Sequence, residues 1–83
     1  MDPQKNALTE QEELKILGEI LEAYIDTSIE KDAFLIGDLG LDSFLIVYFI
    51  SEVDDRFGVT IEMPEHVEYM TVQDVLDQLN QKN

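Results

Sequence analysis

Apolar side chains recur along this chain in three helical registers, the first two separated by a long interruption. Leu14, Leu17, Leu21, Tyr24 and Ile25 fall on one face at three- and four-residue spacing, with Ile16 and Ile20 on its flank. Thr9, followed three residues later by Glu12, supplies the reciprocal capping pair, in which hydroxyl and carboxylate each satisfy an orphan N–H of the first turn. The pattern predicts a helix over about 10–25. Residues 1–8 are polar and unpatterned and read as a flexible lead-in.

Residues 26–42 form a connection too long for a bare helix–helix turn. It carries its own anchors, since Ile29, Phe34, Leu35, Ile36, Leu39 and Leu41 can pin it over a core, while Gly37 and Gly40 permit tight or left-handed backbone. The run Leu45–Ile50 suits either a buried strand or a helix. Its borders favour helix over 43–57: Asp42 is a good N-cap, Gly58 a good left-handed stop, and Arg56 places positive charge in the last turn. At about 100° per residue, Ile46, Phe49, Ile50, Val53 and Phe57 face inward, with Phe44, Tyr48, Ser51 and Asp55 opposite them. Glu52 lies beside that outer stripe and Val47 at its edge.

Further on, Pro64–Met70 has room for one short helical turn. Thr71 then caps a last helix marked by Val72, Val75, Leu76 and Leu79, with fraying expected from Asn80. The expected fold is all-α, a small four-helix bundle of three main helices and one short one. One domain spans 9–80, with residues 81–83 a frayed end.

Composition narrows what such a bundle does. With 19 acidic and 5 basic residues in 83, the formal net charge is −14, yet apolar residues make up 45%, enough for a core. The charge repels phosphate backbones and anionic lipid, so neither nucleic acid nor membrane is expected as a partner, whereas basic surfaces are attracted. The longest apolar run, Phe44–Ile50, is seven residues long, against the roughly 18 that suggest a membrane span. No basic segment followed by an apolar one opens the chain, and a cytoplasmic, monomeric protein is expected.

Catalytic groups are scarce. There is no Cys, His66 is the single histidine, and no Gly-rich phosphate cradle occurs. Asp54 with Asp55, and Glu65 with Glu68, read as solvated surface carboxylates. A calcium loop starting at Asp38 fails, because its sixth position is Ser43 instead of Gly and its twelfth is Phe49 instead of Glu. What remains is Ser43, a hydroxyl in the first turn of the most apolar helix, where N–H groups and the helix dipole favour a phosphate. From physics alone, this serine serves either helix initiation or an attached anion.

The stretch Asp38-Leu-Gly-Leu-Asp-Ser-Phe44, followed by an apolar run to Phe57-Gly58 and then Ile61, resembles the acyl carrier protein family, whose pattern is Asp-Leu-Gly-x-Asp-Ser-Leu. The resemblance extends over most of the chain, from the first amphipathic helix to the last one opening at Thr71-Val72. It implies 4′-phosphopantetheine, derived from coenzyme A, on Ser43, with Asp42 as the flanking motif residue. It also implies a non-enzyme that holds acyl groups as thioesters, shelters them between helices, and presents them to enzymes of fatty acid or polyketide biosynthesis. An aminoacyl or peptidyl carrier of a non-ribosomal type is the alternative, as is an unmodified acidic docking module. The implied partners are a phosphopantetheinyl transferase and acyl-transferring, condensing or acyl-activating enzymes with basic patches. Their expected contacts are Phe44, Val47, Tyr48, Glu52, Asp54 and Asp55. Phe44 replaces the usual Leu, Leu45 and Tyr48 stand where acidic residues are common, and Arg56 interrupts the acidic run. These departures suggest a more apolar docking face unless Leu45 or Tyr48 packs inward.

Overall fold

The computed structural model describes residues 9–81, so the expected lead-in over 1–8 and the last two residues lie outside the described residues. Three α-helices are present: α1 over Glu10–Leu21, α2 over Ser43–Phe57 and α3 over Val72–Gln81. No strand occurs among the described residues. The expected short helix is a single 3-10 turn, Val67–Tyr69, closed by Met70 N–H donating to the Val67 carbonyl. It is too brief to count as a fourth member of the bundle.

Each helix begins at a side-chain cap. Thr9 and Glu12 form the reciprocal box on α1, with bonds of 2.9 and 3.1 Å. Asp42 Oδ1 accepts from Leu45 N–H at 2.9 Å on α2. Thr71 and Asp74 repeat the reciprocal arrangement on α3, at 2.9 and 3.3 Å. Such caps are each worth about 1 kcal/mol. At the far end of α2, Gly58 takes the left-handed conformation and returns its N–H to the Asp54 carbonyl, as a C-terminal glycine does.

Helix α1 stops at Leu21, four residues before the predicted end. Tyr24 N–H folds back to the Leu21 carbonyl in a tightened last turn, so Tyr24 swings out of the core register and is half exposed. Ile20, expected on the flank, is buried in its place. At the other end of the chain α3 continues through Asn80, whose side chain donates to the Leu76 carbonyl.

The core is one aliphatic cluster around Phe49. It draws Leu17 and Leu21 from α1, Leu35 and Leu41 from the loop, and Val75 and Leu76 from α3. Each such side chain contributes roughly 1.5–3 kcal/mol relative to exposure. The long loop is held by main-chain bonding to the entrance of α3. Leu35 N–H donates to Met70, Val72 N–H to Ala33 and Gln73 N–H to Lys31, at 2.8–3.0 Å, around an antiparallel bridge between Phe34 and Thr71. Side chains reinforce this junction. Glu10 accepts from Lys31 at 2.9 Å and from Gln73 at 3.0 Å, and these donors hold its carboxyl below the usual pKa.

Candidate functional site

The site begins where the loop becomes helix. Phe34 N–H donates to Asp38 Oδ2 at 2.8 Å, the N–H groups of Asp38 and Leu39 return to the Phe34 carbonyl, and Leu41 N–H returns to Leu35. Gly40 closes the turn with φ +73°, a left-handed value that strains any side-chain-bearing residue. Leu39 and Leu41 enter the core on either side of it, so Asp42 and Ser43 emerge at the surface.

Ser43 is the first residue of α2 and is exposed. In a helix the first N–H groups have no carbonyl one turn back. Here Ile46 N–H reaches the Asp42 carbonyl and Leu45 N–H is taken by the Asp42 carboxylate. The N–H groups of Ser43 and Phe44 therefore point toward the helix mouth with no helical acceptor, beside the positive end of a helix of 15 residues. The cap also engages one Asp42 oxygen with backbone, which offsets its repulsion toward a neighbouring phosphate. The donor set and the open hydroxyl fit a phosphodiester. The two other serines differ: Ser28 lies in the loop, and Ser51 lies mid-helix, where backbone donors are already bonded.

The expected docking residues divide into three kinds. Phe44 and Val47, three residues apart on one helix face, are 75% and 63% exposed. For Tyr48 the structure takes the packed alternative left open above: it is half-buried, its ring edge-on to Tyr24 with centroids 5.1 Å apart, and Leu45 likewise packs against the core. Burial, followed by the nearby Glu52 carboxylate and Tyr24, pushes the Tyr48 phenol pKa up. The acidic residues are partly engaged. Glu52 pairs with Arg56 at 3.6 Å, Asp54 accepts from the Thr60 hydroxyl at 3.3 Å, and Asp55 is exposed.

Three exposed apolar residues differ from the sequence reading: Met63 and Tyr69, the latter 68% exposed, were not singled out, and Phe34, expected to anchor the loop over the core, is 39% exposed. The signal for Tyr69 was its place between Glu68 and Met70, since Met70 takes the core position. His66 is exposed and near Glu68 and Tyr69, with no cluster of metal-ligating residues among the described residues.

A small helical domain with a serine offered at a helix mouth is the architecture of a phosphopantetheine carrier. The family model for the phosphopantetheine attachment site matches residues 14–79, and the chain belongs to that family. Its cofactor is covalently attached 4′-phosphopantetheine. Carrier domains of this kind are generally not catalytic, and they work with a phosphopantetheinyl transferase and partner enzymes. No curated protein and no solved structure gives a significant match. Among the described residues no helix is long and apolar enough to cross a membrane.

Proposed function

We propose that this chain is a cytoplasmic acyl carrier whose arm is esterified to Ser43 and which presents arm-bound acyl groups to enzymes of fatty acid, polyketide or aminoacyl-carrying pathways. The observation that carries this reading is that Ser43, alone of the three serines, joins an exposed hydroxyl to the open end of a long helix. In a transferase, Ser43 Oγ attacks the β-phosphorus of coenzyme A. A new P–O bond forms, the bond to 3′,5′-ADP breaks, and the hydroxyl proton passes to a base of the transferase. Bound, the group supplies a terminal thiol that holds cargo as a thioester, a function the chain lacks because it has no Cys.

The remaining work belongs to this chain's own residues. Asp42 fixes the turn, and the N–H groups of Ser43 and Phe44, which have no helical acceptor, would hold the phosphate of the bound arm. Phe44 and Val47 supply the apolar anchor for partner enzymes, with Tyr48 supporting them from beneath and Asp55 the free charge at the rim. Glu52 and Asp54 contribute less, being already held by Arg56 and Thr60.

Incubation with a transferase and coenzyme A, followed by intact mass measurement, tests the attachment. The wild type, Ser28→Ala and Ser51→Ala each gain one arm, and Ser43→Ala gains none. A wild type left unmodified beside a control carrier that is loaded, or an arm on Ser43→Ala, overturns the reading.

A further inference from the structure

The segment that follows α2 runs without helix or strand through Glu62, Met63 and Pro64, and a pocket of about 400 Å³ lies between it and α3. Met63, Pro64 and the buried Met70 give the pocket its apolar lining. Asp74, Asp77 and Gln78, at three- and four-residue spacing on one face of α3, line the other side. Gln78 bonds both main-chain groups of Glu62, so the two walls are fixed to one another before anything binds. Methionine adapts to irregular apolar surfaces, and Met63 is 45% exposed.

Charge at this pocket is of one sign. Glu62, Asp74 and Asp77 stand in its wall, and no basic residue is among those that line it. Local hydrogen bonds engage one oxygen of Asp74, which accepts from Thr71 N–H, and one of Asp77, which accepts from the Gln73 amide. The chain has little positive charge to bring here: of its 5 basic residues, Lys31 is paired with Glu10 and Arg56 with Glu52. A second copy, itself at a net charge of −14, would set acidic surface against acidic surface. Apolar contact and positive charge must therefore arrive together on a different molecule.

We propose that this pocket is a second docking surface, for a segment of a partner protein that carries an arginine or lysine beside a leucine-type side chain. The apolar side chain enters between Met63, Pro64 and Met70, and the cation meets Asp74 and Asp77 at the rim. A bare cation leaves the methionines unused, and an aliphatic chain alone strips water from the carboxylates without return. No residue of α2 lines the pocket, so a segment held here leaves Ser43 and Phe44 uncovered. The chain is thus retained through one surface while it is used through the other, and this docking is independent of any group on Ser43.

The test titrates the whole unmodified chain into fluorescein-labelled Leu-Arg-Leu-Arg-Leu, Ser-Arg-Ser-Arg-Ser and Leu-Glu-Leu-Glu-Leu at near-physiological salt. Anisotropy reads binding, and NMR signals of the chain locate it. The first peptide alone is expected to bind, shifting the methyl signals of Met63 and Met70. Met63→Ser and Asp77→Asn are each expected to weaken it by on the order of fivefold or more, whereas Glu19→Gln, which removes an exposed charge on α1, changes it less than about twofold. Asp77→Asn keeps an acceptor for Gln73, so its effect reports charge and not folding. Ser43→Ala is expected to bind as the wild type does, so this surface stands or falls apart from the attachment site. The inference is overturned by no binding of the first peptide, by equal binding of the serine peptide, or by equal losses in Glu19→Gln and Asp77→Asn. Shifts at Phe44 and Val47 in place of the methionines also overturn it, as does a dimer of the chain alone that Met63→Ser abolishes. A peptide that binds only after Lys82→Gln gives the pocket to the chain's own end and overturns it too.

Discussion

The side-chain amide of Gln78 closes a two-way ring on the backbone of Glu62, accepting from its N–H at 2.8 Å and donating to its carbonyl at 2.9 Å. A residue of α3 thereby satisfies both main-chain groups of a segment that forms neither helix nor strand. Ile61, next to it, is held in the core.

Gln78→Ala removes both bonds. It is expected to destabilise the fold by about 1–2 kcal/mol, read as a lower urea midpoint with an unchanged slope. Loading by the transferase is expected to be unaffected, because the ring lies outside the α2 entrance. A midpoint equal to that of the wild type would show that water replaces the amide at no loss.

At the site itself, Asp42→Ala and Asp42→Asn separate capping from charge. Asn caps as well as Asp, so Asp42→Asn retains the wild-type midpoint, whereas Asp42→Ala loses about 1 kcal/mol. Chemical denaturation of the two variants side by side checks this. Equal stability of both would contradict the role given to the 2.9 Å bond to Leu45.

Gly37 and Gly40 are expected to respond differently to alanine. At Gly40 an added Cβ meets open space, but the left-handed backbone costs about 1–2 kcal/mol. At Gly37 the backbone is not left-handed and the nearest neighbour, Phe34 Cβ, is at 3.6 Å, an ordinary contact, so Gly37→Ala is expected to be near neutral. Thermal melts of the two variants give the comparison directly.

Docking is expected to depend on shape more than on charge. Phe44→Ala leaves stability unchanged, because the ring is largely in water, but weakens binding to a partner enzyme by on the order of tenfold or more. Tyr48→Ala lowers stability through loss of the Tyr24 contact. Isothermal titration of the holo chain at low and high salt separates the contributions, since an interface led by Phe44 and Val47 keeps most of its affinity as salt rises.

Two carboxyls of α1 have opposite pH signatures. Burial raises the Glu13 pKa despite a bond from Asn80, so the folded state binds its proton more tightly, and stability falls as pH rises from the unfolded value through the folded one. Glu13→Gln is therefore expected to be more stable than wild type at neutral pH, with the gap closing in acid. Glu10 is the reverse. Its folded pKa is lowered by Gln73 and Lys31, so its contribution is present above the unfolded pKa and is lost as pH falls through the folded one. Glu10→Gln is expected to be less stable at neutral pH and to match wild type in acid. Melting curves of both variants from neutral to acidic pH test the two signs together.

The second helix was legible to the residue because its signals are local: a capping Asp, an amphipathic run and a terminal glycine lie within 17 positions, from Asp42 to Gly58. The end of α1 was not, since no glycine or proline marks it and the stop comes from Tyr24 folding back. Glu13 showed no sequence sign of burial, and its 5% exposure follows from packing beside Asn80, 67 positions away. The same holds for the Glu10 pair with Gln73, separated by 63 positions. At the candidate site, the exposed positions of Ser43 and Phe44 in the first turn of α2 were readable from the capping Asp and the helix phase. The inward lean of Tyr48 depended on where Tyr24 came to rest, which helical periodicity had placed on the wrong side.

The bridge between Phe34 and Thr71 has a consequence for how the domain opens. Because Leu35, Val72 and Gln73 bond across it, the segment leading to the serine and the start of the last helix form one cooperative unit, despite lying at opposite ends of α2 in sequence. Their amides should exchange with deuterium together, and the turn that brings Ser43 to the surface is moored, in effect, to the C-terminal third of the chain.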